Sequence, residues 1–253
     1  MFKTKKFFIL ICTLLIAAAA ALTLPSSSVL AAEQCGKVTS GWTRSGNYSF
    51  KLTKKGKLLY KVGKGKEKVI AGKVTSARYQ GSRVAYVQAW NNDGDDNACR
   101  TPCRIFDCYK KKTVRKCVLT DKTSMYDGKI LGFYNDNIVT TYSLGDALVF
   151  INMKKGYSKV KRSGKYISCY AGGEQEGKYL VYIGAGNTLE VMDLTTGKIN
   201  IISKKGFSAI IYKGTLYYSE VKFSSELIKK QTVNLYTCSI SGKGKKLLGS
   251  FKL

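Results

Sequence analysis

One β-hairpin is written five times along this chain: KLLYKVGKGKEKVI (57–70), RIFDCYKKKTVRKCVL (104–119), LVFINMKKGYSKVK (148–161), LEVMDLTTGKINII (189–202) and NLYTCSISGKGKKLL (234–248). Each copy is an apolar strand, a turn of Gly, Lys or Thr, and a second strand that ends apolar. The turns recur roughly every 41 to 48 residues, a period long enough for four short strands. A second hairpin precedes each copy, with turns at Ser45-Gly46-Asn47, Gly81-Ser82, Asn135-Asp136-Asn137, a Glu-bearing loop before Lys178, and Lys213-Gly214. Gly and Asn tolerate the positive φ that tight hairpins need. Val84, Tyr86 and Gln88 alternate with Ala85, Val87 and Ala89, the period of a strand. Strands such as YLVYI and AIIY are apolar on both faces, as sheets packed between two neighbours require.

The pattern therefore predicts an all-β fold: a five-bladed β-propeller of four-stranded antiparallel blades, about 37–71, 74–120, 129–163, 166–204 and 207–251, twenty strands in all. An incomplete six-bladed propeller is the alternative. YLVYIGAGNTLEVMDLTTGKINIIS (179–203), with its Asp193 to Lys198 turn, resembles a blade of bacterial secreted β-propellers of the TolB-like and YVTN-like kind. Such blades serve many activities, so the resemblance implies a fold and leaves the function open.

Residues 1–32 read as a signal peptide. Lys3, Lys5 and Lys6 precede the uncharged stretch Phe7 to Leu24, and Val29-Leu30-Ala31-Ala32 ends in small residues. A retained anchor is the rival reading. No second apolar stretch is long enough to span a bilayer, so 33–253 is expected to be one exported domain, secreted or associated with the cell envelope, and a monomer. The formal charge is +27, and removing three signal lysines leaves +24. Lysines are spread over nearly every turn, which reads either as a solvated rim or as attraction to anionic cell-wall polymers, acidic glycans or headgroups, and the export signal argues against nucleic acid as the partner.

Several constellations are candidates for function. Trp42, Tyr79, Tyr134, Tyr170 and Tyr212 close the expected first strands of the five blades, where rings could stack on sugars or wedge as core. Trp90 stands beside an acidic loop in which Asp93, Asp95 and Asn97 have the alternating oxygens of a calcium site. Arg104 stands where a closing Glu would be needed, so a polar loop without metal is the competing reading. Asp107, Asn152 and Asp193 recur at one position before the turn and read as turn chemistry.

Seven cysteines follow the signal. In an exported chain they predict disulfides, with Cys108–Cys117, Cys99–Cys103 and Cys35–Cys238 as the pairings, and a zinc site as the alternative for the first four. The chain has no histidine, which removes Ser-His-Asp and Cys-His nucleophile systems. Only Asp136, Glu174 and Glu176 are placed to serve a glycan hydrolase. The expectation is a non-catalytic protein that binds an anionic polymer or glycan, with a protein-interaction scaffold as the alternative.

Overall fold

The computed structural model describes residues 34–89, 99–121, 129–142, 147–163, 173–223 and 231–252. Among them the chain is all-β and forms five antiparallel sheets, each built on a four-stranded meander in sequence order, the second with one additional strand. The first sheet contains β2 (Thr43–Ser45), β3 (Tyr48–Leu52), β4 (Leu58–Val62) and β5 (Lys68–Ala71). The second contains β6 (Val74–Gln80), β7 (Arg83–Gln88), β8 (Cys99–Asp107) and β9 (Lys112–Asp121), with the short β1 (Cys35–Lys37) paired to β6. The third is β10 (Ile130–Tyr134), β11 (Asn137–Tyr142), β12 (Ala147–Asn152) and β13 (Tyr157–Ser163). The fourth is β14 (Glu174–Glu176), β15 (Tyr179–Ile183), β16 (Leu189–Asp193) and β17 (Lys198–Ser203). The fifth is β18 (Gly206–Tyr212), β19 (Thr215–Phe223), β20 (Gln231–Ser239) and β21 (Lys246–Lys252). No helix of the described residues is long and apolar enough to cross a membrane.

Two strands differ from the sequence reading. The expected strand 37–44 is divided: β1 ends at Lys37 and joins the second sheet, and only Thr43–Ser45 pairs with β3. In the fourth sheet, the partner of β15 is Glu174–Glu176, so these glutamates lie on a strand and not in a loop after one. The segment 166–172 is outside the described residues, as is the signal segment 1–32.

The chain packs as two units. The first three sheets, with the turn Leu194–Gly197, form one, and the fourth and fifth sheets form the other. In the first unit the strand alternation divides the core. Val84 and Tyr86 face a cluster with Phe50, Leu58, Tyr60, Ala77 and Tyr79. Ala85 and Val87 face Ile105, Ile130, Phe133, Ile138 and Ile151 on the other side. The second sheet is thus buried on both faces, as its doubly apolar strands require. In the other unit, Val181, Ile183, Leu189 and Val191 pack with Ala209, Leu216 and Tyr218.

A side-chain latch ties sheet to sheet. The first loop residue of each leading hairpin has a positive φ: Gly46 (56°), Gly81 (54°), Asn135 (55°), Gly177 (53°) and Lys213 (48°). That conformation turns its N–H away from the hairpin, where it needs an acceptor. Gln34 Oε1 accepts from Gly46 N at 3.0 Å. Gln80, the last residue of β6, accepts from Asn135 N through Oε1 at 2.5 Å and donates through Nε2 to Asn135 Oδ1 at 3.2 Å. Glu176, the last residue of β14, accepts from Lys213 N and Gly214 N at 2.6 and 2.8 Å.

Gln80 is buried, whereas the Glu176 latch is exposed to water. Replacing Gln80 by Ala should therefore destabilise the protein by about 1–3 kcal/mol, because Asn135 N–H loses its acceptor inside the protein. Glu176→Ala should cost under about 1 kcal/mol, since water replaces the carboxylate. Urea unfolding of both variants checks this order, and equal losses would show that burial does not set the strength of the latch.

Candidate binding face of the first sheet

The first sheet has one face in the core and one face open. Phe50 and Tyr60 are paired across β3 and β4 and point into the core. The alternate residues form two cross-strand rows on the opposite face. One row is Arg44, Ser49 and Lys61; the other is Lys51, Leu59 and Val69. Val69 is 64% exposed, and Arg44 is exposed as well.

Trp42, just before β2, is half-buried and organises the cations of this face. Lys61 Nζ lies 4.4 Å from the centroid of its ring and Lys51 Nζ 5.7 Å. Both are within the ~6 Å over which the face of an indole attracts an ammonium. Arg44 is fixed separately, donating from Nε to Gly46 O at 3.0 Å. Around these three lie Lys54, Lys55, Lys57, Lys64, Lys66, Lys68 and Lys73, all exposed on the turns and edge of the same sheet. Residues 37–73 hold eleven Lys or Arg against a single acid, Glu67, although the whole chain has 16 acidic residues. The positive charge is therefore concentrated on this sheet.

The other candidate aromatics fall differently. Tyr79 is buried, 8% exposed, and stacks on Phe50 at 5.6 Å. It sits one residue before Gln80, the true end of the strand, and that single step turns its side chain into the core. Tyr134 and Tyr212 do occupy equivalent positions before their turns. Tyr134 is half-buried, and Tyr212 is 38% exposed with Lys213 Nζ 5.4 Å from its ring. Trp90, Tyr170 and the candidate calcium ligands Asp93, Asp95 and Asn97 are outside the described residues.

The three candidate acids are engaged or remote. Asp136 accepts from Arg83 Nη2 at 2.6 Å and lies 3.3 Å from Arg115 Nε. Partial burial pushes its carboxyl upward, but the guanidiniums of Arg83 and Arg115 outweigh it and hold the group below its ordinary range. Glu176 is committed to the latch, and Glu174 is exposed. Two of the recurring turn residues cap their turns as the sequence implies: Asp107 Oδ1 accepts from Tyr109 N and Lys110 N, and Asn152 Oδ1 from Lys155 N, while Asp193 Oδ2 lies 3.0 Å from Lys178 Nζ.

The strand register departs from two of the expected cysteine pairings. The hairpin turns after Asp107, which pairs with Lys112, and a bulge follows at Ile105/Phe106. Cys117 therefore stands opposite Cys103. Cys108 packs in the cluster on the other face of the sheet, with Tyr60 and Tyr86. Cys99 and Cys103 are both on β8, and four residues of strand separate their Cα atoms by about 13 Å, beyond the ~7 Å limit of a disulfide. Cys35 lies on β1, paired to β6 in the first unit, and Cys238 packs in the core of the other unit.

Sequence reasoning missed the pairing of Lys51 and Lys61 with Trp42, and the glutamine latches. The density of lysines around 51–68 was the available signal for the first. For the second, a Gln or Glu directly before a turn Gly, at Gln80-Gly81 and Glu176-Gly177, was the only trace.

No protein-family model matches the chain, and no curated protein matches it. Among solved structures it is similar to the β-propeller domain of the trilobed protease from Pyrococcus furiosus, at 12% identity over 80% of this chain and 79% of that one, with a TM-score of 0.44. It is also similar to a chain of a nidogen/laminin complex, at 11% identity over 87% and 80%, TM-score 0.42. BamB from Moraxella catarrhalis gives 11% identity over 85% and 74%, TM-score 0.35.

The Asp136 cluster makes a pH prediction. Its folded-state pKa is lowered, so its contribution is fully present above the ordinary carboxylate range and fades as the pH falls toward the folded value. Asp136→Asn should cost about 1–2 kcal/mol at neutral pH, after allowance for the partly exposed arginines. The gap between wild type and variant should narrow as the pH falls below the ordinary carboxylate range. Urea melts across pH check this, and a gap that widens on acidification would contradict the assignment.

Proposed function

We propose that this chain is an exported, non-catalytic binding protein, a five-bladed β-propeller whose first sheet engages an anionic cell-wall polymer or acidic glycan at the cell envelope. The observation that carries the reading is the charge of residues 37–73, eleven cations against one acid, with Lys51 and Lys61 held on Trp42. A lysine side chain in water loses rotamer freedom when it binds an anion. An indole that already holds two ammoniums on a rigid sheet lowers that loss, and Arg44 is fixed by Gly46 O. Phosphates or carboxylates repeated along a polymer would meet several such cations at once, so weak single contacts would sum.

The absence of histidine and the engagement of Asp136 and Glu176 support binding over hydrolysis. A protein partner is the second reading. It is favoured by Leu247 and Phe251 on β21, which are 51% and 39% exposed.

The test is equilibrium binding of the purified protein to isolated wall polymer at about 50 mM and about 300 mM salt, conditions that move the Debye length from roughly 14 to 6 Å. Retention should fall steeply between them. Lys51→Gln with Lys61→Gln should weaken binding at low salt by about thirtyfold, from roughly 1 kcal/mol for each cation near an anionic surface. Trp42→Ala should weaken it by about twofold to fivefold. Lys204→Gln with Lys205→Gln, in the other unit, should change it less than about twofold. Equal losses from both lysine pairs would mean that diffuse charge, and no particular face, drives association. Binding that ignores salt would favour the protein-partner reading.

A further inference from the structure

Cys103 and Cys117 are directly opposed on adjacent antiparallel strands, in the paired register of β8 and β9. Residues so placed have Cα atoms about 4.5–5.5 Å apart, within the ~4.4–6.8 Å that a disulfide bridges. Both side chains lie on the same face of the sheet, against Ile105, Val149 and Met153. The two thiols are in hydrogen-bond contact with each other, and Cys117 Sγ also donates to Met153 Sδ at 3.2 Å. We infer that Cys103 and Cys117 form a dithiol site that closes to a cross-strand disulfide on reaction with a low-molecular-weight disulfide, stapling β8 to β9.

The two sulfurs differ in a way that orders the reaction. Cys103 is fully buried, and Cys117 is half-buried. The hydrogen bond with Cys117, and then burial, push the Cys103 thiol up; the same hydrogen bond draws the Cys117 thiol down. Cys117 is thus the attacking thiolate and Cys103 the resolving thiol. The Cys117 thiolate attacks one sulfur of the small disulfide, its S–S bond breaks, and one thiolate leaves. Cys103 then loses its proton and attacks Cys117 Sγ in the mixed disulfide. The second small thiolate leaves, and the Cys103–Cys117 bond has formed. Two protein thiols are oxidised and one small disulfide is reduced to two thiols, so electrons and protons balance.

Cys108 and Cys99 are poorly placed to intervene. Cys108 lies on the opposite face, and burial, followed by the Asp107 charge, pushes its thiol up to about 12. Cys99 is four residues along the same strand as Cys103. The inference does not depend on what the first sheet binds.

The test is to hold the reduced, folded protein in oxidised glutathione, quench it with acid and an alkylating reagent, and map the linkages by peptide mass spectrometry. The expected product is a Cys103–Cys117 linked peptide, lost on reduction. Recovery of both residues as alkylated thiols, or either residue linked to another cysteine, overturns the inference. Two variants test the order. Cys103→Ala should trap a stable glutathionyl adduct on Cys117. Cys117→Ala should leave Cys103 modified at least about tenfold more slowly, because its thiol is buried. Comparable adduct rates in the two variants would overturn the assigned roles.

Discussion

A backbone N–H turned outward by a positive φ sets how these sheets hold together. A two-residue hairpin closes tightly only if its first loop residue adopts a left-handed conformation, and the amide of that residue then has no partner within its own hairpin. Gly46, Asn135 and Lys213 meet this need with a side chain from another sheet: Gln34 (just before β1), Gln80 and Glu176. The turn that ends one hairpin is thereby the contact that fixes its neighbour. Apolar packing is non-directional and would tolerate sliding of one sheet on another. A hydrogen bond to one amide would not. Where the pair is buried, as at Gln80, the penalty for leaving it unmade makes the position exact to within an ångström or so.

The second sheet bears most of this load in the first unit. Its strands β6 and β7 bury Tyr86 and Val84 on one side and Ala85 and Val87 on the other. Arg83 on β7 and Arg115 on β9 meet Asp136 in the turn of the third sheet. Arg78 Nε donates to Ile130 O at 3.1 Å within the same contact. Polar residues here act in directed pairs, and so they add register to what the apolar residues supply as adhesion.

The hairpins and the doubly apolar strands were legible in the sequence because they rest on local chemistry. Gly and Asn mark turns, and a period of two assigns faces. What depended on long-range pairing was not legible. Three residues, Cys35 to Lys37, carry too little pattern to reveal that they pair with β6. For Tyr79 the sequence leaves a stacking ring and a core wedge both open; its place one residue before the end of β6 turns it into the core, because one step along a strand reverses a side chain. The Cys108 expectation failed for a similar reason: the turn begins at Cys108, and the bulge at Ile105/Phe106 resets the register, which hands Cys117 to Cys103. At the candidate site, the lysines were visible and their organisation was not. Trp42 lies nine residues from Lys51 and nineteen from Lys61, and only the β2–β3–β4 register gathers them.

Concentrating cations on one sheet has a structural cost that the rest of the unit must absorb. Ammoniums closer together than a Debye length repel, and within residues 37–73 only Glu67 offsets them. That repulsion weakens the folded first sheet, and an anionic polymer would relieve it on binding. The first sheet resists because Phe50, Leu58 and Tyr60 anchor its inner face on the second sheet, and the second sheet is held from behind by its packing on the third. Cys103 and Cys117 belong to that rear contact. A bond between them would stiffen the sheet on which the charged one rests, without touching a single cation. Contact with the first sheet on one face and the Cys103–Cys117 pair on the other are thus supplied by separate residues of the second sheet.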